Sequence, residues 1–180
     1  TTLVTSLVKL NEIKNMKRRI DLEVEKVDKD HHDHFLNGAI FKVKDLNNGQ
    51  ITYLASGQLL IKGNGINEEY EISKDENFEN IVKVAKTDNF KEIILDIDDG
   101  VYYSRKINDD KVTKHIIKDG KAILPDAIYG HSYEFSEIKA PTSYHKADKS
   151  MAYTVIANKD TDTVIFKFEN KRIELPNTGV

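Results

Sequence analysis

The chain has 180 residues, 39% of them hydrophobic, which is enough to bury one real core with room for a smaller appendage. Its 27 basic and 30 acidic residues are intermixed and leave a formal net charge of -3, so nothing suggests a nucleic-acid-binding face or a basic membrane-binding surface. There is no cysteine, which excludes disulfides, zinc-thiolate sites and thiol chemistry.

Residues 1–20 have apolar spacing that suits either a helix or a strand, and they are read as a connector or the end of a preceding domain. The chain opens on Thr1 without a signal-like apolar run and is taken as a piece of a longer protein. From Asp21 strict alternation begins. Leu22, Val24 and Lys26 share one face of a strand, and Asp21, Glu23 and Glu25 the other. The turn Asp28 to His34 holds residue types that ligate metals, but neighbouring side chains in a turn diverge, so the expectation is a solvated polar turn and no metal site. A second strand follows with Ala39, Phe41 and Val43 inward, closed by Asn47-Asn48-Gly49.

Residues 56–116 read as an insertion. Strand-like runs at 51–55, 58–62, 69–73, 91–97 and 101–107 frame one predicted helix. Ser73 or Asp75 would cap it, and Phe78, Ile81, Val82 and Ala85 follow at helical spacing. Asp96, Asp98 and Asp99 before Gly100 lack the spacing of a calcium loop and read as a hairpin turn. Later strands are expected at 121–124, 131–139 and 152–157. In the last strand Val164, Phe166, Phe168 and Asn170 lie on one face.

Three apolar strand faces thus end in a polar residue: Lys26, Glu137 (after Tyr133 and Phe135) and Asn170. Together they supply an amine nucleophile, a proton carrier and a carboxamide electrophile, the set needed for an amide exchange that expels ammonia. An apolar interior disfavours charge, so amine and acid are expected there as a neutral pair, with the acid hydrogen-bonded to the amide oxygen of Asn170.

These residues resemble a family. Glu-Lys26-Val-Asp-Lys, Leu-Asn-Gly-Ala-Ile-Phe, Asp-Gly-Lys-Ala-Ile-Leu-Pro, the box Tyr-x-Phe-x-Glu137-x-x-Ala-Pro-x-x-Tyr144 and Phe-Glu-Asn170-Lys are similar to the Cna B-type (SpaA-like, prealbumin-like) domains of Gram-positive surface adhesins and pilins. The resemblance covers residues 21–55 and 117–175, and Ser143 stands where the family's box has glycine. It implies an all-β sandwich of inverse-immunoglobulin or transthyretin type over 21–174, with a Lys26–Asn170 isopeptide bond assisted by Glu137 and no cofactor.

Leu175-Pro176-Asn177-Thr178-Gly179 matches the LPxTG signal that sortases cut between threonine and glycine. The implied partners are sortase and, through Thr178, peptidoglycan or another pilus subunit, on the outside of a Gram-positive cell wall. The expected role is a structural, wall-proximal stalk domain. The Tyr-Pro-Lys run of polymerising pilins is absent, which favours an anchor or accessory subunit over a shaft. The alternative is an adhesin module that engages a host extracellular-matrix ligand through 56–116. No Ser-His-Asp set or phosphate loop points to an enzyme with turnover.

Overall fold

The computed structural model describes residues 19–63, 65–87, 91–156 and 163–174. They form thirteen strands and, among the described residues, no helix. Two facing sheets make the main body. The first has the order β10-β1-β13, from β1 (Arg19–Asp28), β10 (Lys121–Ile128) and β13 (Thr163–Asn170). The second has the order β12-β11-β2-β3, from β2 (Ile40–Asp45), β3 (Ile51–Ala55), β11 (Ser132–Lys139) and β12 (Met151–Thr154).

Alternation explains why these segments face each other. Leu22, Val24, Phe41, Val43, Phe135 and Phe168 are all buried between the sheets. Phe41 lies at the centre, edge-to-face with Phe168 at 5.0 Å and with Phe135 at 6.4 Å between centroids. The inward placement expected for Val164 lies outside the described side chains. On the opposite face of β1 the alternation misleads: Glu23 is only 2% exposed, because Lys118 and Lys121 bring their ammonium groups to 2.8 and 3.3 Å from its two oxygens and cover it with their stems.

The segment from residue 57 to residue 117 packs around a second core. It contains β4 (Leu59–Ile61), β5 (Glu69–Ser73), β6 (Ile81–Lys86), β7 (Ile93–Leu95), β8 (Gly100–Lys106) and β9 (Thr113–Ile117). β4 pairs with β7, while β6-β5-β8-β9 form a four-stranded sheet. Leu59, Ile61, Ile72, Ile93, Tyr102 and Ile117 pack together.

The helix expected after Asp75 is absent, and strand β6 occupies its second half. Asp75 does cap, but it caps a turn: its carboxylate accepts from the backbone N–H groups of Glu79 and Asn80, and Phe78 takes a left-handed φ of 55° that a helix cannot continue through. The branched residues that follow then pair with β5, where Ile81, Val82 and Val84 stay exposed, so their spacing never reported a buried helical face.

The chain enters and leaves this segment side by side. Gly57 N–H donates to Lys121 O at 2.9 Å. Asn37 clasps the return, accepting from Gly120 N at 2.6 Å and donating to Asp119 at 2.7 Å. Gly57 has a φ of 66°, and a Cβ there would lie 2.0 Å from Asn37 Oδ1. Gly57→Ala is therefore expected to lower the stability measured by urea unfolding by about 1–3 kcal/mol, through both the left-handed backbone and the displaced Asn37.

Between β8 and β9, the Ser104 hydroxyl and His115 Nε2 are 2.7 Å apart, and burial pushes the imidazole pKa down to about 4. The unfolded chain takes up that proton near pH 6.5, before the folded one does. The contribution of a neutral His115 is thus intact above about pH 6.5 and is lost as pH falls towards about 4. In urea titrations from pH 7 to 4, His115→Gln is expected to lose less stability than the parent chain.

Candidate crosslinking site

The parallel pairing of β1 with β13 sets Lys26 opposite Phe168 and Asp28 opposite Asn170. Two residues along a strand return to the same face, so Lys26 and Asn170 enter the interior from adjacent strands of one sheet. Glu137 arrives from the other sheet, on β11 opposite Phe41, just before a register shift after which Lys139 pairs with Ile40. The structure brings together all three residues singled out from the sequence, each nearly or fully buried: Lys26 at 0%, Glu137 at 4% and Asn170 at 1% exposure.

The Lys26 ammonium donates to Phe168 O at 2.9 Å and lies 3.2 Å from Glu137 Oε2. The rings of Phe168 and Phe41 flank it, at 4.6 and 5.6 Å from their centroids. Burial lowers its pKa to about 8; the neighbouring Glu137 carboxylate works in the opposite direction and only partly offsets this.

The other carboxylate oxygen of Glu137, Oε1, accepts from Asn170 Nδ2 at 2.6 Å and from the backbone N–H of Ala147 at 2.9 Å. Asn170 Nδ2 donates its second proton to His145 O at 2.9 Å. A backbone carbonyl can only accept, so this contact fixes the orientation of the carboxamide. Asn170 Oδ1 is buried with no hydrogen-bond partner. The acid therefore sits on the amide nitrogen and not, as expected from the sequence, on the amide oxygen.

Chemically, one carboxylate spans a buried amine and the nitrogen that an amide exchange would expel. Glu137 Oε2 can take a proton from Lys26 while Oε1 of the same carboxyl group stays on Asn170 Nδ2, the nitrogen that must be protonated.

Two supporting elements come from the chain after β11. The Tyr144 hydroxyl donates to Asp28 Oδ2 at 2.7 Å, which holds the Asp28 carboxyl below its ordinary range and ties the end of β1 to the segment after β11. The backbone of residues 143–147 closes over the site. Its direction is set by Ser143, which adopts a φ of 72° in the left-handed region that favours glycine. In the turn Asp28 to His34, Asp28 accepts from the N–H groups of Asp30 and His31. No group of three or more metal-ligating side chains occurs among the described residues. Residues 1–18 and the pentapeptide Leu175, Pro176, Asn177, Thr178 and Gly179 lie outside the described residues.

No family model and no curated relative matches the chain. Among solved structures, the chain is similar to GBS52, the minor pilin of Streptococcus agalactiae, with 20% identity over 92% of this chain and 49% of that one and a TM-score of 0.41. It is similar to the shaft pilin SpaA of Lactobacillus rhamnosus GG, with 15% identity over 89% and 48% and a TM-score of 0.42. A third similarity is to a C-terminal fragment of the pilus adhesin SpaC from the same organism, with 14% identity over 89% and 47% and a TM-score of 0.43. The chain spans about half the length of each of these structures.

Proposed function

We propose that this chain is a structural, wall-proximal stalk domain of a Gram-positive surface protein, stiffened by a self-made isopeptide bond between Lys26 and Asn170. The observation that carries the reading is the Glu137 carboxylate, with one oxygen beside the buried amine and the other on the buried carboxamide nitrogen. In the reaction Lys26 passes a proton to Glu137, and the freed lone pair attacks Asn170 Cγ. The tetrahedral centre then collapses as the Glu137 carboxyl delivers its proton to Nδ2 and takes the second proton from Nζ, ending the reaction protonated. One Nζ–Cγ bond forms, one Cγ–Nδ2 bond breaks, and one ammonia leaves. No oxidant, metal or cofactor enters the balance, and each chain reacts once.

The domain would run from 21 to 174, with 1–20 as connector, 56–116 as insertion and 175–180 as the sortase signal. Cutting by sortase after Thr178 would join this end to peptidoglycan or to another pilus subunit, outside the cell. Proteolytic digestion followed by tandem mass spectrometry tests the crosslink: a branched peptide joining the segments around Lys26 and Asn170 is expected. Two separate linear peptides would refute it.

A second reading concerns 56–116 as a ligand-engaging unit. It is favoured by β6, an edge strand whose Ile81, Val82 and Val84 are exposed beside Lys83 and Lys86. If the insertion engages a matrix ligand, its deletion abolishes adhesion to immobilised matrix proteins while the crosslinked mass is kept. Equal adhesion with and without 56–116 would dismiss this reading.

A further inference from the structure

The contacts of the carboxamide and the acid with the chain after β11 go beyond the three side chains. His145 N–H donates to Lys171 O at 2.8 Å, Ile173 N–H donates to Ser143 O at 2.9 Å, and Tyr144 bridges Arg172. The segment 143–145 is therefore zipped to the residues directly after Asn170. That pairing delivers the His145 carbonyl to Asn170 Nδ2 and, two residues on, the Ala147 N–H to Glu137 Oε1. Ala147 also packs its methyl group against the main core, which limits its freedom to move away.

We propose that the backbone of His145–Ala147 is the positioning element of the crosslinking reaction, with the Ala147 N–H fixing Glu137 Oε1 on the carboxamide and the His145 carbonyl holding the departing nitrogen. The inference rests on the isopeptide reading of the same site. Without the Ala147 donor, Oε1 keeps only the Asn170 contact and the carboxylate is free to rotate towards Lys26 alone. Without the His145 acceptor, the amide has no constraint on which face it turns to the amine. Both protons of the carboxamide nitrogen are engaged, so the leaving group and the acid that protonates it stay in register while the tetrahedral centre forms. The same segment lines an open depression of ≈ 580 Å³, together with Lys29 and Lys167–Lys171, so the ammonia released at Asn170 has a short way to solvent past His145.

Because only backbone atoms act, side-chain substitutions at 145 would not expose the role, and the test must remove the N–H itself. The full chain is made by cell-free translation, quenched in denaturant at timed intervals, and the loss of ammonia is followed by intact mass. Two variants delete the donor: Ala147→Pro, and an ester at the Lys146–Ala147 linkage that replaces N–H by oxygen and leaves the side chain in place. The ester covers the case in which proline prevents folding. Both are expected to slow ammonia loss by about 100-fold, the scale of a misplaced reacting group. Ala147→Gly, which carries the N–H, is expected to recover the rate that Ala147→Pro loses. Lys146→Ala, an exposed neighbour, serves as the control for the segment. An ester variant that loses ammonia as fast as the parent chain would overturn the positioning role and leave the isopeptide reading standing. A parent chain that never loses ammonia would end both.

Discussion

Glu137→Ala is expected to produce the largest loss of stability of any single substitution in this chain, because it acts twice. It removes the proton carrier, so the Lys26–Asn170 bond does not form; by the loop-entropy model a crosslink that encloses so long a loop is worth about 5 kcal/mol. It also leaves the Lys26 ammonium at 0% exposure without its counter-charge. Breaking a buried pair on one side costs about 3–5 kcal/mol. These contributions share a site and do not simply add. Thermal unfolding should show a fall in Tm larger than that of Asn170→Ala, which abolishes the bond but keeps the ion pair. Equal shifts in the two variants would mean that the pairing of Lys26 with Glu137 contributes nothing of its own.

The second large effect is on rate. The reactive form has the proton on Glu137 and not on Lys26, so it carries the same number of protons as the ion pair from which it arises, and the two interconvert by transfer across a 3.2 Å contact. Lowering the lysine from its ordinary 10.5 to about 8 favours that transfer by about 300-fold. The pair loses its shared proton above about pH 8, and with it the proton that must reach Nδ2. Crosslinking rates, read by timed mass measurement on newly made chains, are therefore expected to fall about tenfold per pH unit above about pH 8. A rate that rises steadily through pH 9 would instead indicate attack by the free amine with no acid needed at the leaving nitrogen.

Mechanically, the bond would join the first and last strands of the main body. Tension entering by β1 and leaving by β13 would then pass through covalent bonds at Lys26 and Asn170. Residues 27–169, which include every strand from β2 to β12, would lie outside that path. A crosslink of this kind would serve in a chain without cysteine where a disulfide serves elsewhere.

The site was legible because its three side chains obey the two-residue period of strands whose other inward residues are apolar. Leu22 and Val24 carry Lys26 inward, Tyr133 and Phe135 carry Glu137, and Phe166 and Phe168 carry Asn170. What period cannot give is which of two amide atoms the acid meets, since that is decided by the His145 carbonyl, and a backbone group has no signature in the sequence. Burial of Glu23 was hidden for a related reason: its cover comes from Lys118 and Lys121, about a hundred residues away in sequence. The helix expected at 75–86, and absent, shows the limit of spacing in a short segment. Phe78, Ile81, Val82 and Ala85 fit a helical face, yet a left-handed Phe78 and the cross-strand partners supplied by β5 decide the outcome. Strand β9, Thr113–Ile117, has no apolar signature in the sequence: its Lys114 and His115 break the pattern, and pairing with β8 is what forms it.

The central claim is that Lys26 and Asn170 become one covalent unit under the control of Glu137. The most direct measurement is the intact mass of the folded chain, beside those of Lys26→Ala and Glu137→Ala. The predicted result is a parent chain one ammonia lighter than its sequence requires, with both variants at full sequence mass; a native chain at full sequence mass would contradict it.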